Sequence, residues 1–272
     1  MNVGYLQFAP LFGEPEKNLE AIREHILGHL QGGGTKPDLL VLPELALSGY
    51  LFLSQDEVVR TAEPVDTGPC IEALSRLAQE TGIHLALGFA EEEMGRYYNS
   101  AVLLTPEGRR FLYRKMHLFA EEKHFFSPGN LGFPVFTIQG VRVALLVCFD
   151  HMFPEAARTV ALQGAHVVCH PSNLVLPEYG QLTTRVRAIE NRIFWILANR
   201  IGVEERGGKR LRYTGRSHII SPTGTILAQA PEEEPALHVV EIDPKEAEDK
   251  HVTPQNHLFH ERRLDYYILF SA

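Results

Sequence analysis

The sequence predicts an α/β fold in which two β-sheets pack face to face and helices cover each. Three observations predict it. Strand-like and helix-like segments alternate along all 272 residues. Short continuous apolar runs, such as "DLLVL" and "HVVCH", read as strands buried on both faces. Hairpin signals are too many for a pure βαβ barrel, and a second sheet accommodates the extra strands.

The elements follow in order. "VGYLQFAPL" alternates like a strand, and "EPEKNLEAIREHILGHLQ" has helical spacing that stops at Gly32–Gly34. "PDLLVLPELAL" is a buried strand, and "GPCIEALSRLAQETG" is a second amphipathic helix ending in glycine. "IHLALGFAEE" and "YNSAVLLTPEGRRFLYRKMHL" give three strands, the last two joined by a turn at Pro106–Gly108. "FPVFTIQGVRVALLVCFD" is hairpin-like around Gly140, and Pro154 suits the first turn of the helix "PEAARTVALQGA". Then come a strand ("HVVCHPSN"), a helix ("LTTRVRAIENR") and a strand ("IFWILANRIG"). A hairpin through Pro222–Gly224, a last strand ("ALHVVEID"), a short helix and a tail complete the chain. The loosest stretches, 31–38 and 204–210, are short enough to be loops inside one domain, so residues 1–272 read as a single domain.

Composition narrows the function classes. A net charge of −8 with scattered basic residues gives no nucleic-acid face. No apolar run is long enough for a membrane helix. The first residues lack the basic and apolar regions of a signal peptide. Three cysteines, Cys70, Cys148 and Cys169, are too few for a disulfide framework, so a reducing cytoplasm is the expected setting.

Chemistry is expected where buried strands end. "DLLVLPE" ends at Glu44, "RVALLVCFD" reaches Cys148, and "HVVCHPSN" ends at Asn173. Sites in α/β proteins form at the carboxyl ends of strands, so these three converge if their strands are parallel neighbours. Lys115 closes another strand. Each has a plain alternative: Glu44 as a strand end, Lys115 as a solvated edge lysine, Cys148 as a packed thiol. Together they form a chemical set. A thiol needs a base, a desolvated glutamate can serve as one, and an ammonium stabilises the oxyanion formed on attack.

"LLVLPELALSGY", "YRKMHLF" and "VALLVCFDHMFPEAAR" resemble, in that order, the three signature segments of the nitrilase superfamily of carbon–nitrogen hydrolases. "YNSAVLLTPEG", "FFSPGN", "HPSN" and "RAIENRIFWILANR" extend the resemblance over nearly the whole chain. It implies a four-layer αββα sandwich. It also implies Cys148 as nucleophile, Glu44 as general base, Lys115 as the lysine, and the Phe149 backbone N–H as an oxyanion donor. A further glutamate falls on Glu122 rather than its neighbour Glu121. The resemblance implies a homodimer or higher homo-oligomer, paired through the helices after Cys148 and a tail of about residues 250–272. It implies no cofactor.

A metal is not expected. His166 and His170 share a strand face about 13 Å apart, too far to share one zinc. His151, three residues past Cys148, reads as pocket-lining or helix-starting rather than as a base. Tyr50, His117, His151, Met152 and Asn173 are candidate pocket residues, each equally explained by packing.

The expected substrate is a small nitrile or amide, cleaved through a thioimidate or thioester to ammonia and a carboxylic acid. In omega-amidase-like relatives an arginine lies four residues past the nucleophile; here that position is Met152. Aromatic nitrilases typically read Cys-Trp-Glu, against Cys-Phe-Asp here, which leans toward amidases and carbamoylases. Yet "CFDHMFPEAAR" and "EKHFFSPGN" also resemble short archaeal-type nitrilases. N-carbamoyl amines such as N-carbamoylputrescine, omega-amides, ammonia supply to a synthetase partner, and an idle scaffold are the alternatives.

Overall fold

The structure is a computed structural model that describes residues 1–267. Residues 268–272 of the expected dimerisation tail lie outside the described residues. In the first half, β1 (Asn2–Gln7) leads through α1 (Pro15–Gln31) to β2 (Leu39–Val41). Helices α2 (Gln55–Thr61) and α3 (Pro69–Thr81) precede β3 (His84–Glu93), β4 (Arg96–Leu104) and β5 (Arg110–Arg114). The second half begins with β6 (Val135–Ile138), β7 (Val141–Leu145), α4 (Pro154–Leu162) and β8 (Val167–Ser172). It continues with α5 (Tyr179–Asn191), β9 (Phe194–Asn199), and the hairpin of β10 (Val203–Arg206) and β11 (Lys209–Arg212). Then come β12 (His218–Ile220) and β13 (Ile226–Gln229). β14 (Ala236–Glu241) returns to the first sheet, and β15 (His251–Thr253) pairs with β16 (Asn256–His257).

The two large sheets run β14-β1-β2-β3-β4-β5 and β13-β12-β9-β8-β7-β6. Each holds three adjacent parallel strands, β1 to β3 and β7 to β9, flanked by antiparallel ones. Side-chain alternation decides what each strand faces. Val3, Tyr5, Leu39 and Val41 join one core cluster with Val143, Leu145 and Trp195 of the second sheet. Leu6, Leu40, Leu85 and Leu87 face the other way and pack with Ile22 and Ile26 of α1 and Leu74 and Leu77 of α3. The unbroken apolar run of β2 follows from burial on both faces. Each such side chain contributes ~1.5–3 kcal/mol on burial. Ala156, Ala157 and Val160 of α4 and Ala188 of α5 cover the second sheet. The result is a four-layer αββα sandwich.

Several sequence expectations are corrected. The stretch 204–210 is not a loop: β10 and β11 pair from Val203 with Arg212 to Arg206 with Lys209. Two glycines at positive φ, Gly207 and Gly208, make its turn, and they gave the stretch its loop-like composition. α2 was not anticipated, being only seven residues long. The expected short C-terminal helix is a single 3-10 turn, Pro244–Ala247. The strand before Cys148 ends at Leu145, and Cys148 opens a 3-10 turn to Met152. Likewise β2 ends at Val41, because Pro43 has no N–H with which to extend the ladder.

Candidate active site

Glu44, Lys115 and Cys148 meet where the two sheets face each other. β2 carries Glu44 in the first sheet, whereas β7 and β8 carry Cys148 and Asn173 in the second. The strands leading to Cys148 and Asn173 are parallel neighbours, but β2 lies opposite them across the sandwich rather than beside them in one sheet. Close backbone packing fixes the approach. A Cβ on Gly88 of β3 would lie 2.4 Å from the Glu44 Cα, so only glycine fits there. Asn173 clamps the same turn from the opposite sheet, its Nδ2 donating to the Glu44 carbonyl at 3.0 Å.

Lys115 is fully buried and donates to two carboxylates, Glu44 Oε1 at 2.7 Å and Glu122 Oε1 at 2.8 Å. Asn99 Nδ2, from β4, also donates to Glu44 Oε1 at 2.7 Å. Tyr50 OH donates to Glu122 Oε1 at 2.6 Å. Glu44 Oε2 is buried without a hydrogen-bond partner among the described residues. Burial alone would lower the Lys115 ammonium, but Glu122 and Glu44 outweigh it and hold its pKa up. Two carboxylates share this one cation, so burial and the Glu44 charge push Glu122 up.

Cys148 is held in the left-handed region, φ +43°, uncommon for a residue with a Cβ. Its neighbours enforce that conformation. Asp150 Oδ2 accepts from Val147 N at 2.9 Å and from Tyr113 OH at 2.7 Å. His170 Nε2–H donates to the Cys148 carbonyl at 2.9 Å, which fixes the neutral tautomer. Burial, then repulsion from Glu44, pushes the Cys148 thiol well above its ordinary range, although Lys115 pulls the other way. Burial and that repulsion both favour the protonated thiol over the thiolate. Phe149 follows in the first helical turn, where backbone N–H groups lack intrahelical partners.

The cleft over Cys148 is lined by Phe119, Phe149, His151, Met152, Asn173 and residues 174–176, 179 and 180. An adjoining cleft shares Phe119 and Val175 with it and contains Tyr50 and Glu122. His151, Met152 and Asn173 thus lie at the thiol, and Tyr50 lies next door. His117 does not line the cysteine cleft. Its Nδ1 bonds Asp150 at 2.7 Å, and its ring stacks on Phe153 at 3.6 Å. Burial and the Arg187 charge lower His151 to about 4, so it is neutral at neutral pH. Glu121 is exposed and pairs with Lys209. Cys169 is a fully buried core thiol. Among the described residues, no group of three His, Cys, Asp or Glu side chains is arranged to hold a metal ion.

Sequence reasoning missed Asn99, Tyr113, Asp150 and His170. Each lay inside a quoted segment, but only the packing shows which atoms they hold. A polar residue within an apolar run was the available signal, as in "YNSAVLL" and "VVCHPSN".

A double-sheet sandwich with glutamate, lysine and cysteine at its centre defines a cysteine-bearing hydrolase of the nitrilase fold. The carbon–nitrogen hydrolase family model matches residues 2–251, and the chain belongs to that family. It is a hydrolase acting on carbon–nitrogen bonds. Among similar proteins, a nitrilase of Pyrococcus abyssi is 40% identical over 267 residues, covering 98% of this chain and 99% of that one. An (R)-stereoselective amidase of a Pseudomonas species is 40% identical over 209 residues, covering 76% and 73%. A solved variant of the amidase from Nesterenkonia sp. AN1, with acrylamide added to its active-site cysteine, superposes with a TM-score of 0.76. It is 29% identical and covers 92% of this chain and 96% of that one.

Proposed function

We propose that this hydrolase cleaves the C–N bond of a small, neutral nitrile or amide, with Cys148 as nucleophile and Glu44 as general base. Glu44 Oε2, without a hydrogen-bond partner among the described residues and on a carboxylate whose charge pushes the Cys148 thiol up, carries the reading. Glu44 takes the Cys148 proton as sulfur bonds to the carbonyl or nitrile carbon. Lys115 and the Phe149 N–H stabilise the negative charge that develops. With an amide, the proton passes from Glu44 to the leaving nitrogen, ammonia departs and a thioester remains. With a nitrile, a thioimidate forms first, and addition of water followed by loss of ammonia gives the same thioester. Water activated by Glu44 then releases the carboxylic acid and restores the thiol. Glu122 keeps Lys115 in place.

The wall of the cysteine cleft supports a neutral substrate. It presents Phe119, Phe149, Met152, Leu174 and Leu176 and, among the described residues, no carboxylate or guanidinium, whereas the adjoining cleft carries Glu121, Glu122 and Lys209. That disfavours both a cationic carbamoyl amine and an omega-carboxylate. Residues 1–272 act as one catalytic unit, and two copies pair through α5. Tyr179, Leu182, Val186 and Ile189 form an exposed apolar stripe at helical spacing along it. A cytoplasmic, cofactor-free enzyme fits the buried free thiols.

Ammonia release from a panel of nitriles, small amides and N-carbamoyl amines tests the reading. Small neutral substrates are expected to turn over, and Cys148→Ala to abolish that turnover. Undiminished activity in Cys148→Ala sinks the assignment. Light scattering tests pairing, and a monomer contradicts it.

A further inference from the structure

We propose that Glu204, at the base of the β10–β11 hairpin, is a positioning residue that acts on the lysine through Tyr50 and Glu122. The inference rests on the catalytic reading of Glu44, Lys115 and Cys148. It concerns a residue some distance from the thiol in the chain and on another element.

Glu204 is 6% exposed, and both its oxygens are engaged. Oε1 accepts from Arg200 Nη1 at 2.6 Å and from the Tyr50 N–H at 3.2 Å. Oε2 accepts from the Leu51 N–H at 2.7 Å and from Tyr213 OH at 2.7 Å. One buried carboxylate thus holds two successive backbone amides of the loop that carries Tyr50. The ring is set as well, since Tyr213 meets Tyr50 edge-on at 6.3 Å. Arg200 completes the anchor, its guanidinium lying 4.0 Å from the Tyr213 ring. The hairpin also grips this segment by Arg206, which donates to the Leu51 carbonyl and to Glu57.

The far end of the chain of contacts is the site. Tyr50 OH and Lys115 Nζ both donate to the same oxygen, Glu122 Oε1. A carboxylate that bonded only a tyrosine hydroxyl would leave that hydroxyl free to follow its loop. Phe119 N–H and Asn99 Nδ2 hold Glu122 Oε2 at 3.3 and 3.5 Å. Glu204 fixes the loop on the Oε1 side, so the hairpin sets where that oxygen meets Lys115. Displacement of an oxyanion-stabilising group by a fraction of an ångström is a recognised way to lose rate without losing binding.

The test is a double-mutant cycle of Glu204→Ala and Tyr50→Phe in the full chain. Two rates are read: hydrolysis of propionamide, and iodoacetamide labelling of Cys148, which needs no known substrate. Each single variant is expected to lose about 10-fold in kcat and in labelling rate, with KM changed much less. The double variant should be no slower than the slower single, because both act along one path. Losses that multiply overturn the proposal, as does a Glu204→Ala enzyme with wild-type rates. Glu204→Ala strands the buried Arg200 charge; if it does not fold, Glu204→Gln takes its place in the cycle. That variant keeps the size but turns a donor toward N–H and O–H donors. A wild-type enzyme that labels but leaves propionamide intact counts against the proposed substrate class, while the labelling cycle still decides the role of Glu204.

Discussion

Arg114 and Lys115 are consecutive, both buried, and both paired with glutamates, yet their surroundings differ. Arg114 bonds Glu91 twice, at 2.5 and 2.9 Å, and Ser100 OH completes Glu91 at 2.5 Å. Both Glu91 oxygens are engaged, so the network is closed. Lys115 bonds Glu44 and Glu122, and among the described residues one Glu44 oxygen is left without a hydrogen-bond partner. A buried charge by itself is compatible with pure structure. An unsatisfied buried acceptor costs ~1–3 kcal/mol, and here it belongs to the carboxylate that also bonds the buried Lys115.

Removing the base should break the open network most visibly. Glu44→Gln keeps the shape and the Lys115 and Asn99 contacts but cannot take a proton. Turnover should fall by about 10²–10⁴-fold, with the melting temperature little changed. Ammonia-release kinetics alongside a melting curve check this, and a fully active Gln variant would mean that Glu44 is not the base.

Glu91→Ala should do the reverse. It takes from a buried guanidinium its buried carboxylate and leaves the half-exposed Glu93 at 2.7 Å and Asn130 at 2.9 Å, and losing one partner of a buried pair costs up to about 3–5 kcal/mol. Urea unfolding should show that loss, while the fraction that stays folded keeps kcat within a few-fold. A large kcat loss at unchanged stability would erase the contrast between the two networks.

Acid bears on the open network too, because two neutral histidines flank it, alongside the buried His218, lowered to about 4, elsewhere in the second sheet. His151 is lowered to about 4, and His170, which holds the Cys148 carbonyl, lies well below its ordinary value, both chiefly through burial. As pH falls from 6.5, the unfolded chain binds protons at these sites before the native chain does. Stability therefore falls with falling pH, by about 1.4 kcal/mol per pH unit for each histidine. For His151 the loss is complete at about pH 4. Urea midpoints at pH 7, 5.5 and 4.5 should decline steadily, and a flat profile contradicts the argument.

The smallest effect concerns specificity. Met152 is 37% exposed at the cleft over Cys148, where omega-amidase-like relatives carry arginine. Met152→Arg should raise kcat/KM for an amide bearing a distal carboxylate by up to about 10-fold, the worth of one partly solvated charged contact. Paired assays on succinamate and butyramide check it. Equal changes on both substrates would show that position 152 does not read the carboxylate.

Much of this was legible in the chain. The apolar run of β2, the glycine-terminated helix α3 and the hairpin β4–β5 followed from periodicity and turn chemistry, which are local. Glu44 and Cys148 stood out because charge and a thiol close runs that are otherwise greasy, and Lys115 gained meaning only in their company. The family resemblance implied Glu122 rather than Glu121, and the fold buries the one and exposes the other. His117 went astray for the opposite reason. Its neighbours in sequence point at the site, but its ring is drawn to Asp150 and Phe153 on the far side of Phe149.

The sequence by itself determined most of the elements, a strand count that fits two sheets, and the residues to test for chemistry, because these depend on residue type and spacing over short stretches. Only the tertiary structure decided that Glu44 reaches Cys148 across the sandwich rather than along a sheet. It alone gave Cys148 its left-handed backbone, through Asp150 and His170. It alone joined Glu204 to Tyr50, 154 residues away in the chain. Hydrogen bonds between distant segments leave no period or composition to read, since they are fixed by packing after the elements have formed.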